Sequence, residues 1–251
     1  MLSPVVSGAP ALVDIATANR AATCDFYSGL FGWTYVPAGD YVYAELDGDV
    51  VAGVRDGEQA VWTLYVHAGA VETAAKGIEE AGGQIVFGPH LAPGQGEALV
   101  AADPAGAVFG LWRADGPGGF GGFGVGRPGT LTWAELRTID GGRIDAFYGR
   151  LFGYEQRQIG DGRHFDYTVW SAGGQTRLGR HADKSYVLPY WLVYFAVDPA
   201  VGTDATVVRV TDLGGSVIGD PIDVSTGRMA LVADVSGAVF ALIDDARPRA
   251  S

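Results

Sequence analysis

The chain has 251 residues, of which 48% are hydrophobic and 18% charged, and its formal net charge is −12. This composition excludes a disordered chain, and the acidic balance argues against nucleic-acid and anionic-lipid partners. No apolar run reaches the roughly 18 residues of a membrane helix, and the N-terminal residues lack the pattern of a signal peptide. Because the single cysteine, Cys24, cannot form an internal disulfide, we expect a cytoplasmic protein.

The sequence repeats itself. The segment DFYSGLFGW at 25–33 returns as DAFYGRLFGY at 145–154, and ADPAGAVFGLW at 102–112 returns as ADVSGAVFALI at 233–243. A third pair, AGGQIVFGP and LGGSVIGDP, lies between them in the same order and at nearly the same spacing. Such a pattern predicts two homologous halves.

Each half shows the same order of elements. The first half is predicted to contain a strand at 11–17, a helix from Asn19 to Gly32, strands at 40–46 and 50–54, a strand at 62–68, a helix ending near Gly82 and a last strand at 107–112. The second is predicted to contain a strand at 132–138, a helix from Asp140 to Gly153, strands at 164–171 and 176–179, a strand at 191–197, a helix ending near Gly214 and a last strand at 238–243. The Asn and Asp are typical N-caps, and the glycines are typical helix ends. The order predicts two βαβββ modules in each half.

The repeat also predicts the domain limits. The first domain is expected at 1–115 and the second at 129–251. Between them, residues 116–128 are rich in glycine without apolar periodicity, which is typical of a flexible linker.

The βαβββ order, the Phe-Tyr segments and the GAVF endings resemble the vicinal oxygen chelate superfamily. This superfamily includes glyoxalase I, extradiol dioxygenases and bleomycin-resistance proteins. Two such domains in one acidic chain resemble the tandem glyoxalase-like or hydroxylase-like proteins of actinobacteria, some of which act in aromatic polyketide antibiotic pathways. The resemblance implies an α+β fold of two tandem domains, in each of which two βαβββ modules form a curved mixed sheet around a cleft.

Metal-dependent members of the superfamily carry a His or Gln in the first strand of a module and a Glu in its last strand. In this chain those positions fall on Leu12, Thr63, Gly110, Trp133, Leu192 and Ala241. Since none of these is a good ligand for a catalytic metal, we predict no metal and no cofactor. A site assembled only in space remains the alternative; its members would be His164, Asp166, His181 and Asp183.

Side chains two apart on a strand share a face, so the neighbours of the metal positions are expected to line the cleft. The predicted ligand-binding residues are Tyr65, Gly110, Trp112, Trp133, Arg137, Tyr194 and Ala241. Gly110 and Ala241 are expected to leave room for a flat ring. The alternative is structural: aromatic rings that fill the barrel, and an Arg137 that neutralises Glu135.

Three side chains are candidates for proton transfer: Glu135, His67 and Asp14. A lone strand histidine is also typical of a hydrogen-bonded core residue. Asp14 has no arginine two residues along its strand, so its pKa is expected to rise if it is buried. Arg177 and Arg180 are candidate anion contacts or solvated strand residues, and Cys24 is expected to be a core thiol.

The first functional hypothesis is a metal-free protein that binds an aromatic or polycyclic small molecule in antibiotic biosynthesis or resistance. The alternative is a cofactor-independent tailoring enzyme, such as a cyclase, an isomerase or a hydroxylation helper, for the same class of substrate. A metal-dependent glyoxalase-type lyase is the third hypothesis, and the missing ligands argue against it. Whether the protein is an enzyme stays open, with binding or an accessory role favoured. A second copy of the chain and a pathway oxygenase are the candidate protein partners.

Overall fold

The computed structural model describes residues 6–92, 96–114 and 126–246. Most of the predicted linker, from 116 to 125, therefore lies outside the described residues. No helix in the described part of the chain is long and apolar enough to cross a membrane.

Four βαβββ modules follow one another along the chain. The first contains β1 (Pro10–Thr17), α1 (Arg20–Phe31), β2 (Thr34–Ala38), β3 (Tyr41–Leu46) and β4 (Asp49–Asp56). The second contains β5 (Val61–His67), α2 (Val71–Glu80), β6 (Gln84–Ala92), β7 (Gly96–Ala102) and β8 (Val108–Ala114). The third contains β9 (Leu131–Thr138), α3 (Gly141–Phe152), β10 (Glu155–Gln158), β11 (Asp166–Ala172) and β12 (Gln175–Ala182). The fourth contains β13 (Tyr190–Ala196), α4 (Thr203–Asp212), β14 (Ser216–Val217), β15 (Ile222–Val224), β16 (Gly227–Ala233) and β17 (Val239–Asp244).

The first half forms a mixed sheet of eight strands and the second a mixed sheet of nine. Within the modules the strand orders are β2-β3-β4-β1, β5-β8-β7-β6, β10-β11-β12-β9 and β13-β17-β16-β14, with β15 paired to β16. In each module the first strand runs parallel to its last strand, as β1 does to β4 and β9 to β12. The predicted α+β class with two βαβββ modules in each half is confirmed.

By its contacts the chain divides into two compact units. One unit comprises Met1–Ala11, Thr63–Gly119 and Ala134–Trp191, and so holds the second and third modules. The other comprises Leu12–Trp62, Phe120–Trp133 and Leu192–Ser251, and so holds the first and fourth. Each unit thus combines one module from either half, while the domain limits set by the repeat stay a prediction.

The helix ends lie where the sequence places them. The Asn19 side chain accepts a hydrogen bond from the Ala22 amide, and Asp140 accepts one from the Arg143 amide. Both helices end at a glycine in the left-handed conformation, Gly32 with φ 75° and Gly153 with φ 66°. A residue with a Cβ is strained at that φ, which explains why each repeat carries Gly at this point.

The βαβββ order includes strands β2 and β10, but the sequence pattern gives no bounds for them. Four of the five residues of β2 are exposed, as are all four of β10. Edge strands with both faces in water show no apolar alternation, so this signal was missing.

The repeated sequence motifs contact each other in the buried core of each unit. In one unit the Tyr148 hydroxyl donates to Asp103 Oδ2 at 3.4 Å. In the other, the Tyr27 hydroxyl donates to Asp234 Oδ2 at 3.1 Å. All four side chains are buried. The Phe-Tyr helix of one repeat thus packs against the GAVF turn of the other, which gives both motifs a structural role.

Candidate functional site

One face of the third module gathers polar and aromatic side chains. Along β9, Glu135 and Arg137 are two residues apart and share a face. Parallel pairing places Gly179 beside Glu135 and His181 beside Arg137. Antiparallel pairing of β11 with β12 then places Tyr167 beside His181. Cross-strand neighbours share a face, so the register brings these residues together.

A polar network runs across this face. Glu135 Oε1 lies 2.6 Å from Arg137 Nε, and both side chains are largely buried, with 6% and 16% exposed. Arg137 Nη1 donates to the Tyr186 hydroxyl at 2.8 Å, and the guanidinium carbon lies 5.4 Å from the centroid of the Tyr186 ring. The same hydroxyl lies 2.6 Å from His181 Nδ1. Arg137 thereby holds Tyr186 against His181.

Burial sets the protonation states in this network. It lowers the pKa of His181 below its ordinary value; the Glu135 carboxylate opposes this shift and the Arg137 guanidinium adds to it. Burial raises the pKa of Tyr186 to about 12, against the effect of Arg137. At neutral pH the imidazole is therefore uncharged, and Tyr186 keeps its proton.

Aromatic rings extend the face towards solvent. The Phe165 and Tyr167 rings are stacked, with centroids 5.6 Å apart, and the His181 ring lies 5.5 Å from Phe165. Phe165 is 47% exposed. These rings form an aromatic cluster next to the polar network. We call the set of Glu135, Arg137, Phe165, Tyr167, His181 and Tyr186 the third-module face.

The first module carries a related face with a different charge arrangement. Asp14 is 1% exposed, and the Arg55 Nε atom lies 3.3 Å from its Oδ1. The Tyr41 hydroxyl donates to Asp14 Oδ2 at 3.4 Å. Asp14 has no arginine on its own strand, and Arg55 on the neighbouring strand β4 pairs with it instead.

In the second module, Tyr65 lies beside Gly110 and His67 beside Trp112. All four residues are buried. A Cβ built on Gly110 would overlap the Tyr65 ring. The expectation that Gly110 leaves room for a ligand ring is wrong here, since Tyr65 already fills that space.

Replacing Gly110 by alanine is expected to lower the free energy of unfolding by about 1–3 kcal/mol, because the added methyl overpacks the core against Tyr65. Urea denaturation measures the change. The matched control is Gly142→Ala, where a Cβ on helix α3 meets nothing within 4 Å. A loss in the control as large as in Gly110→Ala would contradict the packing argument.

The remaining predicted site residues lie in the second, third and fourth modules. His67 is 8% exposed, its Nδ1 has no hydrogen-bond partner within the described residues, and burial lowers its pKa. Tyr194 and Ala241 are buried neighbours in the fourth module. Trp133 is half-buried on β9 ahead of Glu135. The three proton-transfer candidates Asp14, His67 and Glu135 lie on three different modules.

The side chains do not fit a divalent metal at the positions that the superfamily uses. Leu12, Thr63 and Leu192 are buried residues of β1, β5 and β13, and they offer at most one hydroxyl oxygen. Throughout the described ranges, no three His, Cys, Asp or Glu side chains are grouped so that they could hold a metal ion.

The alternative metal set does not form a group of ligands in the described residues. His164 Nδ1 lies 2.8 Å from Asp161, and His181 lies against Tyr186. Asp166 forms an ion pair with Arg180. The proposed ligands thus have other partners.

Arg180 has a structural role. It is 3% exposed, and it forms ion pairs with Asp145, at 2.7 Å, and with Asp166. Asp145 also accepts a hydrogen bond from Trp170 Nε1 at 2.9 Å. The interpretation of Arg180 as an anion contact or a solvated strand residue is therefore wrong.

The structure also tests the positions predicted for two tryptophans and for the cysteine. Trp62 packs against Tyr27 of α1, and Trp191 packs against Tyr148 of α3, which confirms their place under the helices. Cys24 is half-buried rather than in the core, and burial raises its pKa.

Sequence reasoning missed the role of Tyr186, Tyr167 and Phe165. Tyr167 stands on a predicted strand, and the register of β11 with β12 gives its position. Tyr186 lies in the loop after β12, where no periodicity indicates which way a side chain points. Only the contacts reveal its role.

Comparison with known proteins agrees with this fold. The chain is 35% identical over 265 residues to the anthracycline biosynthesis protein DauV of Streptomyces sp. (strain C5), a match that covers 94% of this chain and 93% of the relative. It is 34% identical over 254 residues to CFP32 of Mycobacterium tuberculosis (strain CDC 1551 / Oshkosh), which carries a glyoxylase name, with 95% of each chain covered. No protein-family model matches the chain.

Among solved structures, the Mn(II)-bound glyoxalase from Novosphingobium aromaticivorans is similar, with a TM-score of 0.68 at 15% identity. The superposition covers 98% of this chain and 86% of that one. At this identity the likeness concerns the fold. Fold, repeat and relatives together show that the chain belongs to the vicinal oxygen chelate superfamily, in one family with DauV and CFP32.

Proposed function

We propose that this protein binds an aromatic or polycyclic small molecule at the third-module face, without a catalytic metal, and acts in antibiotic biosynthesis or resistance. The observation that carries the proposal is the row of rings formed by Phe165, Tyr167 and His181, which ends at the hydroxyl of Tyr186. Small-molecule sites typically combine an apolar surface with a few placed polar groups.

The charges on this face favour a ligand without a strong net charge. Glu135 and Arg137 neutralise each other, and the imidazole of His181 is uncharged at neutral pH. Recognition therefore rests on stacking and on hydrogen bonds to Arg137 and Tyr186. The name of DauV points to anthracyclines, which are polycyclic aromatic compounds, and supports a flat ligand for this chain.

A second candidate function is that of a cofactor-independent tailoring enzyme. The contact between Tyr186 and His181 favours it, because a hydroxyl next to a neutral imidazole is an arrangement suited to proton transfer. We also propose a second copy of the chain or a pathway oxygenase as the protein partner, and a cytoplasmic location.

The binding proposal predicts a local effect of Phe165. Replacing it by alanine is expected to weaken the binding of quinizarin, a hydroxyanthraquinone, about 2- to 10-fold, the equivalent of one aromatic stacking contact. Isothermal titration calorimetry measures the dissociation constant, before and after treatment with a chelator. Binding is expected to survive the chelator.

Phe87→Ala is the matched control for this experiment. Phe87 is also an exposed phenylalanine, at 60%, and lies 4.8 Å from the His90 ring on β6. Equal weakening in both variants, or no saturable binding by the unmodified protein, would count against a site on the third-module face.

A further inference from the structure

We propose that Tyr186 and His181 form a two-residue proton relay, which takes a proton from an aromatic hydroxyl group of the bound ligand. The inference rests on the proposed function, since it names the chemical group that the same face recognises. Tyr186 would touch the ligand, and His181 would act through Tyr186.

The hydrogen bonds give the relay its direction. Arg137 Nη1 donates to the Tyr186 oxygen at 2.8 Å, so this oxygen is an acceptor towards Arg137. In the tautomer that carries its proton on Nε2, which the relay requires, the Tyr186 hydroxyl donates to His181 Nδ1 across 2.6 Å. A phenolic oxygen has one donor and two acceptor positions. One acceptor position of Tyr186 therefore remains for a hydroxyl group of the ligand.

The rings select an aromatic hydroxyl group. A ligand ring on the exposed Phe165 would be near the His181 ring, which lies 5.5 Å from Phe165 and contacts the Tyr186 hydroxyl. Aromatic hydroxyl groups are also far more acidic than aliphatic ones, which lowers the cost of moving their proton.

The proton transfer balances without a cofactor. The O–H bond of the ligand breaks, and its proton forms a new O–H bond on Tyr186. The proton that Tyr186 held moves at the same time to Nδ1 of His181. The products are a ligand phenolate and an imidazolium, while Tyr186 stays neutral throughout, in keeping with its high pKa.

Charged groups around His181 change the stability of its imidazolium form. The Arg137 guanidinium on β9 disfavours it, whereas the carboxylates of Glu135 on β9, Asp166 on β11 and Asp183 in the following loop favour it. The same guanidinium, within hydrogen-bond reach of the Tyr186 oxygen, stabilises the phenolate formed beside it. The carboxylates thus stabilise the imidazolium, and the guanidinium stabilises the phenolate.

Visible absorbance of bound quinizarin tests the relay, because the absorption of a hydroxyanthraquinone moves to longer wavelength when it loses a proton. At neutral pH we expect the dye bound to the unmodified protein to show a larger contribution of the anion spectrum than the free dye does. In Tyr186→Phe and in His181→Gln, with enough protein to keep the dye bound, the ratio of anionic to neutral dye is expected to fall at least about tenfold, the equivalent of one pKa unit.

Tyr35→Phe is the matched control. It removes a tyrosine hydroxyl that donates to the Cys24 carbonyl at 3.0 Å in the other unit, and it should leave the spectrum unchanged. Calorimetry separates the two proposals. Saturable binding without the anion spectrum, or an anion spectrum that survives in Tyr186→Phe, overturns the relay alone. Absence of binding to the unmodified protein overturns the proposed function and the relay with it.

Discussion

Replacing Arg180 by methionine is expected to lower the free energy of unfolding by about 3–5 kcal/mol, because it removes one partner of a buried ion-pair network. Arg180 is 3% exposed and lies between the carboxylates of Asp145 and Asp166, which have side chains 17% and 25% exposed. Without the guanidinium, two largely buried carboxylates face each other. Urea denaturation of the variant and the unmodified protein measures the difference.

Arg228→Met is the control for this prediction. Arg228 also pairs with two carboxylates, those of Asp204 and Asp223, but these partners are 55% and 61% exposed. Exposed ion pairs contribute little, so the expected loss is below about 1 kcal/mol. Similar losses of unfolding free energy in Arg180→Met and Arg228→Met would show that burial of the ion pairs does not determine their contribution to stability.

Replacing Asp103 by alanine is the second prediction, with an expected loss of about 3 kcal/mol or more. Its Oδ1 accepts hydrogen bonds from the amides of Ala105, Gly106 and Ala107 at 2.9–3.0 Å, and its Oδ2 accepts one from Tyr148. Each buried donor left without an acceptor costs about 1–3 kcal/mol. Thermal and urea unfolding both measure the loss.

Two further variants test whether the loss in Asp103→Ala comes from buried hydrogen-bond donors. Asp103→Asn keeps an acceptor oxygen, and because burial raises the pKa of Asp103, losing the negative charge is expected to cost little. Asp161 accepts bonds from the amides of Arg163, His164 and Phe165 in the same local pattern, but it is exposed. If Asp161→Ala destabilised the protein as much as Asp103→Ala, the explanation from buried donors would fail.

Much of the fold could be predicted because its signals are local. Asn19 and Asp140 mark helix starts, Gly32 and Gly153 mark helix ends, and strand alternation marks β1 and β9. These signals come from neighbouring residues, so a single sequence carries them. Where both faces of a strand are exposed, as in β2 and β10, the signal disappears.

The candidate site could be predicted only in part. Alternation along β9 placed Glu135 and Arg137 on one face, as their 2.6 Å contact shows. The same reasoning failed at Asp14, because its partner Arg55 stands on another strand. It also failed at Gly110, because a missing side chain does not show that the space is empty. Cross-strand neighbours and loop conformations depend on pairing between distant segments.

The amino-acid sequence alone determined the repeat, the four βαβββ modules and the membership of the vicinal oxygen chelate superfamily, since all of these rest on patterns within short segments. The tertiary structure decided what the repeated motifs do and which polar groups meet. Tyr148 reaches Asp103, and Tyr186 reaches His181 and Arg137, only because strand register and a loop bring them within hydrogen-bond distance. Hydrogen bonds and ion pairs act over a few ångströms, so function here depends on distances that the order of residues does not contain.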